Sequence, residues 1–212
     1  LRVIRRFDEP EFRLLASGRL HGAPPAEPSR SDDDLNPEAR VIPADEAPKP
    51  AAVLVPLVAR DGGLHMLLTQ RQPHLSRHAG QVAFPGGRID AADEGPVAAA
   101  LRETEEETGI APGFVETLGF LDTYLTSTNY RVVPVVGLVR PGFSIVPQES
   151  EVADVFEVPL AFLMDPTHHE RHSREWQGRL RHYYAMPWRE RYIWGATAGM
   201  IRNLYSLLYE RP

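Results

Sequence analysis

The chain has no cysteine among its 212 residues, which excludes a disulfide scaffold, a thiolate zinc site and a cysteine nucleophile. It also lacks any apolar run approaching the roughly 18 residues that a membrane-spanning helix needs. Its first residues show no charged-then-apolar pattern of an export signal, so the expectation is a soluble, cytoplasmic protein with no membrane partner. Positive charge is in deficit, with 23 Lys and Arg against 29 Asp and Glu and a formal net charge of −6. That balance argues against wholesale nucleic-acid binding, and an anionic small molecule would have to be met by a metal and local arginines. What remains is ordinary: 42% hydrophobic and 25% charged residues suffice for one domain with a sizeable core plus ornament.

Residues 1–50 read as an N-terminal arm. Glu9-Pro10-Glu11-Phe12-Arg13-Leu14-Leu15 suits a short amphipathic helix with Pro10 in its first turn. Gly22 to Pro50 then holds seven of the 20 prolines and the Asp32-Asp33-Asp34 run, without a sustained apolar period, and reads as loop. From 51 to 212 the texture is that of a folded domain. Ala52–Val58 and Leu64–Thr69 are apolar runs separated by Asp61-Gly62-Gly63, a hairpin signal. Gln81–Phe84 is a short strand leading into Pro85-Gly86-Gly87, where backbone amides can approach a ligand closely. Val97–Thr108 follows as a helix, with Pro96 in its first turn and Gly109 as its stop. Val115–Thr126, Val132–Val139, Glu151–Phe156 and Arg179–Met186 read as strands, and Gly195–Tyr209 as a helix. The sum is an α/β fold, an α/β/α sandwich with a mixed sheet between helices.

The helix 97–108 carries the chemistry. Glu103, Glu106 and Glu107 stand at i, i+3 and i+4 and share one face at about 100° per residue, with Val97, Leu101, Thr104 and Thr108 roughly opposite to dock on a sheet. Glu105 falls off that face. Carboxylates so crowded repel one another, and a hard divalent cation, Mg²⁺ or Mn²⁺, relieves this. Arg102 reads as the group that orients a glutamate by a charge-assisted hydrogen bond. The competing reading, a solvated acidic face, is disfavoured by the glycine loop just upstream.

These residues resemble the Nudix box. Glu94 stands eight residues before Arg102, and Arg102-Glu103-Thr104-Glu105-Glu106-Glu107-Thr108-Gly109-Ile110 completes the pattern with Thr104 at an apolar position. Gly87 lies six residues before Glu94 where the pattern has five, so Asp93 shares the role expected of Glu94. The stretch Leu67-Leu68-Thr69-Gln70-Arg71, His74-Leu75 and His78–Gly87, together with Ile193–Ala198, is similar to the coenzyme A pyrophosphatase subfamily. Gln72 and Ser76 depart from its signature, and Arg77 stands one place late.

The resemblance implies hydrolysis of coenzyme A or its thioesters to 3′,5′-ADP and 4′-phosphopantetheine or its acyl form. It assigns Arg102, Glu103, Glu106, Glu107 and Glu151 to catalysis and Glu103, Glu106 and Glu107 to the metal. Glu149 or Glu151 is a candidate general base from a nearby loop. Arg71, Arg77, Gly86 and Gly87 are the candidate substrate-binding residues. Two alternatives stand beside it: hydrolysis of another nucleoside diphosphate derivative, such as ADP-ribose or NADH, and a ligand-binding module without turnover. His168, His169, His172 and His182 read as a polar loop cluster rather than a zinc site, and Trp176, Trp188 and Trp194 as core rather than base-stacking platforms.

Overall fold

The computed structural model describes residues 7–38, 46–75, 79–176 and 178–210. Arg77, with Ser76 and His78, lies outside them. Twelve strands and four helices occur in the order α1 (Glu9–Arg19), β1 (Arg30–Ser31), β2 (Lys49–Arg60), β3 (Gly63–Arg71), β4 (Val82–Ala83), β5 (Gly86–Arg88), α2 (Pro96–Thr108), β6 (Val115–Phe120), β7 (Tyr124–Leu125), β8 (Tyr130–Val139), β9 (Val152–Pro159), α3 (Leu160–Leu163), β10 (Glu170–Trp176), β11 (Arg179–Trp188), β12 (Arg191–Trp194) and α4 (Ala196–Tyr205). Among the described residues no helix is long and apolar enough to cross a membrane.

Strands β1 to β9 form one mixed sheet, and β10 to β12 a separate antiparallel sheet. The axis of the main sheet is β2 lying parallel to β8 from Lys49↔Tyr130 to Val58↔Val139. On its other edge β2 changes partner, pairing first with β5 through Ala51–Val53 and then with β3 through Leu57–Arg60. Pro56, which has no N–H to donate, falls in this handover, the place where a proline costs a central strand least. The strand's period of two divides the core. Ala52 and Leu54 pack with Ala99 and Ala100 of α2 on one face, whereas Val55 and Leu57 pack with Phe12 of α1 and Ile201 and Leu204 of α4 on the other. The α/β/α sandwich expected from the sequence is the fold observed.

Several elements differ from the sequence reading. Val115–Thr126 is not one strand: it breaks after Phe120, and Leu121 turns its N–H to the Pro134 carbonyl. His172 lies in a strand, β10, rather than a loop. The proline-rich arm is tied into the main sheet, since Arg30 and Ser31 run parallel to β7 and Phe12 and Ala16 are buried in the main core. Asp8 caps α1 by accepting from the Glu11 N–H at 3.0 Å.

The arm also reaches the second sheet. The Asn36 side chain donates to the His182 carbonyl and accepts from its N–H, both at 2.8 Å, an imitation of a neighbouring strand on the edge of β11. Arg181 beside it bonds Asp33 at 2.5 Å.

Candidate active site

Helix α2 begins without a side-chain cap, relying on Pro96, and ends where Gly109 turns left-handed (φ 78°) and bonds back to the Glu105 carbonyl. Thr104 and Thr108 are buried, yet each hydroxyl bonds the carbonyl four residues earlier at 2.6 Å. A threonine therefore serves at an apolar position without leaving a polar atom unpaired. The face expected to dock does so: Val97 and Leu101 pack against the cluster of Ala52, Leu54 and Val133.

The three glutamates do not all point outward, however. Glu106 is exposed, Glu103 half-buried, and Glu107 buried at 5%. The loop after β8 returns along the end of α2, with Val146 and Gln148 donating their N–H groups to the Thr108 and Glu107 carbonyls. Glu107 accepts from the Gly86 N–H at 3.3 Å and lies 3.8 Å from Arg71. Burial nevertheless pushes its carboxyl up to about 8, helped by the negative charges of Glu103 and Glu151 and opposed by Arg71 and Gly86. Glu103 is also raised, first by burial and then by Glu106 and Glu151, with Arg102 opposing.

The expected loop residue Glu151 is thus within electrostatic reach of both buried-side carboxylates. Its position is held by Gln72, whose N–H donates to the Glu151 carbonyl at 2.8 Å and whose side-chain amide donates to the Glu149 carbonyl at 2.8 Å.

Arg102 bonds three acidic neighbours. It grips Asp93 with two bonds of 3.0 Å, donates to Glu103 at 2.9 Å and reaches Glu106 at 3.3 Å. Asp93, rather than Glu94, is the acidic partner, and the guanidinium holds its carboxyl below the usual range. With Glu103 and Glu106 turned to Arg102, no three His, Asp or Glu side chains among the described residues form a ready metal cage. The donor set still fits a hard cation. A carboxylate is buried against like charges, and all its candidate companions are oxygen donors.

The two loop glycines have steric roles. A Cβ at Gly86 (φ 153°) would lie 2.5 Å from the Ala52 carbonyl, and one at Gly87 2.5 Å from the Glu103 carboxyl carbon. Gly86 lets β5 close on β2, and Gly87 leaves the room that Glu103 occupies.

Gly86 and Arg71 also line a cavity of about 890 Å³ that extends to the arm and the second sheet. Among the described residues the buried Arg71 Nε has no hydrogen-bond partner, a cost they leave unmet. Trp176 and Trp194 line this cavity and are only half-buried, contrary to the expectation of core residues. Trp188 is likewise half-buried, but it packs against the main core, 4.6 Å from Phe162. His168 and His169 bond the carbonyls of Phe162 and Leu163, and His172 bonds Glu170 and Tyr192. The cavity-lining role of the tryptophans had no local signal, because it depends on how β10 to β12 sit against the arm.

The family model described as NUDIX domain matches residues 47–177. A relative from Escherichia coli (strain K12 / DH10B), named Uncharacterized Nudix hydrolase NudL, is 46% identical over 164 residues, covering 76% of this chain and 84% of its own. Among solved structures, a Caenorhabditis elegans Ap4A hydrolase binary complex is similar with a TM-score of 0.46 and 22% identity over 52% of this chain and 80% of that one. The NUDIX domain of Shewanella oneidensis NrtR, complexed with ADP ribose, gives a TM-score of 0.43 and 28% identity over 56% and 77%.

Proposed function

The chain belongs to the Nudix family, and from that premise we propose that it is a divalent-metal-dependent pyrophosphatase that cleaves coenzyme A or its thioesters to 3′,5′-ADP and 4′-phosphopantetheine or its acyl form. The observation that carries this reading is Arg71. It joins the carboxylate cluster to the large cavity, stands 3.8 Å from Glu107 and keeps a buried, unpartnered Nε. A phosphate oxygen of a bound pyrophosphate satisfies that donor. The cavity volume of about 890 Å³ accommodates a long ligand with a nucleotide at one end and a flexible arm at the other.

Glu103, Glu106 and Glu107 would hold Mg²⁺ or Mn²⁺, which neutralises anhydride charge and acidifies bound water. Arg102 orients Glu103 and Glu106, and Glu151, presented by the Gln72-bound loop, is the general base that takes the proton from the attacking water. Gly86 and Gly87 keep the loop's backbone close to the phosphates.

Incubation with coenzyme A and Mg²⁺ is expected to release 3′,5′-ADP. Rapid cleavage of ADP-ribose or NADH with coenzyme A untouched would move the protein to another substrate group.

A further inference from the structure

Gln72 departs from the subfamily signature, and its place in the fold gives that departure a use. Strand β3 pairs with β9, and the register shifts at the end of the ladder, from Gln70↔Asp154 to Arg71↔Val152. A regular ladder continued from Gln70 would set Gln72 across from Val152. The extra residue in β9, Ala153, sets it across from Glu151 instead, whose carbonyl accepts the Gln72 N–H at 2.8 Å. A bulge of this kind re-aims the chain beside a site.

The side chain adds a second hold. Its amide donates to the Glu149 carbonyl at 2.8 Å and to the Val152 carbonyl at 3.4 Å, bracketing Glu151 from both sides. The same turn is anchored to α2 at its other end. Gln148 donates its N–H to the Glu107 carbonyl at 3.1 Å, and its own carbonyl accepts from the N–H groups of Glu151 and Val152, both at 2.9 Å. Glu151 is thus carried on a short turn slung between α2 and the end of β3, with main-chain bonds fixing the α2 side and Gln72 the β3 side.

We infer that Gln72 is a positioning residue for catalysis, whose main-chain and side-chain N–H groups set the turn that carries Glu151 and so place its carboxylate against the attacking water. The inference rests on the role given to Glu151 above. A base acts only within hydrogen-bond reach of the proton it takes, and a misplacement of about 1 Å can cost about 10²-fold in rate. Arg71, the residue before Gln72, lies 3.8 Å from Glu107 and lines the cavity. Consecutive residues at one bulge therefore divide the work, Arg71 meeting the phosphates and Gln72 acting only through the turn.

The test is a double-mutant cycle on the full chain, with coenzyme A and Mg²⁺, using Gln72→Ser, Glu151→Gln and the two combined. Gln72→Met joins them as a form that keeps the length of the side chain and loses its N–H groups. Gln72 is half-buried at the surface, and thermal melts check that each variant is folded. Gln72→Ser and Gln72→Met should each lower kcat by about 10-fold, the worth of one or two hydrogen bonds, with KM unchanged because Arg71 stays in place. Glu151→Gln should lose about 10²-fold or more, and Gln72→Ser should cost nothing further in its presence. The same loss from Gln72→Ser in both backgrounds overturns the inference, as does a rise in KM with kcat unchanged, or a wild-type kcat in Gln72→Met. Failure of the underlying reading looks different. If Glu151→Gln keeps the wild-type kcat, the turn carries no base and the inference falls with that assignment. If coenzyme A is left intact while ADP-ribose or NADH is cleaved, only the substrate reading fails, and the same cycle on the cleaved compound decides the inference. Cleavage of none of the three overturns both.

Discussion

The second sheet and its arm line the cavity directly, whereas helix α2 is linked to it through Arg71 and Gly86, and the two regions were built under different rules. In α2 the chemistry is local. Carboxylates three and four residues apart are neighbours by helical geometry alone, and Pro96 and Gly109 bracket the segment within the sequence itself. In the second sheet the arrangement is assembled at long range, from Asp33 and Asn36 of the arm, Arg181 and His182 of β11, and Trp194 of β12. The first arrangement survives changes elsewhere in the chain. The second depends on every tie that holds the arm in place.

The largest expected break of this contrast is on the local side. Glu106 is exposed and, among the described residues, its side chain is bonded only to Arg102, so Glu106→Gln should leave the melting temperature near wild type while lowering kcat by about 10²-fold or more. An unchanged rate would remove Glu106 from the site.

Next come the two loop glycines, adjacent yet expected to fail differently. At Gly86 an alanine meets backbone, so Gly86→Ala should cost about 2 kcal/mol or more of stability in a denaturant titration. At Gly87 it meets only the mobile end of Glu103. Gly87→Ala should therefore keep most of its stability and lose activity by about 10-fold, the equivalent of about 1.4 kcal/mol in the barrier. Equal losses of stability in both variants would show that Glu103 has no freedom to move aside.

On the assembled side, Asn36→Ala strips the His182 N–H and carbonyl of their partners and should cost about 1–2 kcal/mol. Because the tie shapes the cavity rather than the carboxylate helix, KM should rise with kcat little changed. A fall in kcat alone would mean that the two regions are not separable in this way.

The remaining effect is in pH. Glu107, raised from 4.5 to about 8, keeps its proton in the folded state where the unfolded chain has lost it. Its contribution to stability is thus complete below about pH 4.5 and lost as pH rises through about 8. Thermal melts with chelator present should decline across that window more in the wild type than in Glu107→Gln. Identical slopes would contradict the burial described for this side chain.

The same contrast explains what could be read from sequence. The limits of α2, the hairpin at Asp61-Gly62-Gly63 and the buried β8 were legible because each is signalled by residues within the element. Glu107's burial was not, since a helical wheel places it beside Glu103 and its side chain turns to Gly86 and Arg71, which lie 21 and 36 residues earlier in the chain. Strand β10 was illegible for a related reason. Glu170–Trp176 buries no residue fully, so it lacks the alternation that marks a half-buried strand. The ties of the Asp32-Asp33-Asp34 run were illegible because its partners, Tyr124, Ser127 and Arg181, lie about a hundred residues or more away.

Asn36 has a consequence beyond the shape of the cavity. At His182 the edge of β11 away from β10 is met by this side chain, and an uncovered strand edge is a template for another chain. A protein cut back to begin near residue 47, where the family match starts, would expose that edge and lose Phe12 and Ala16 from the core. Such a truncation should self-associate in light scattering where the longer chain does not. The arm, in that sense, guards solubility, with one amide standing in for a missing strand.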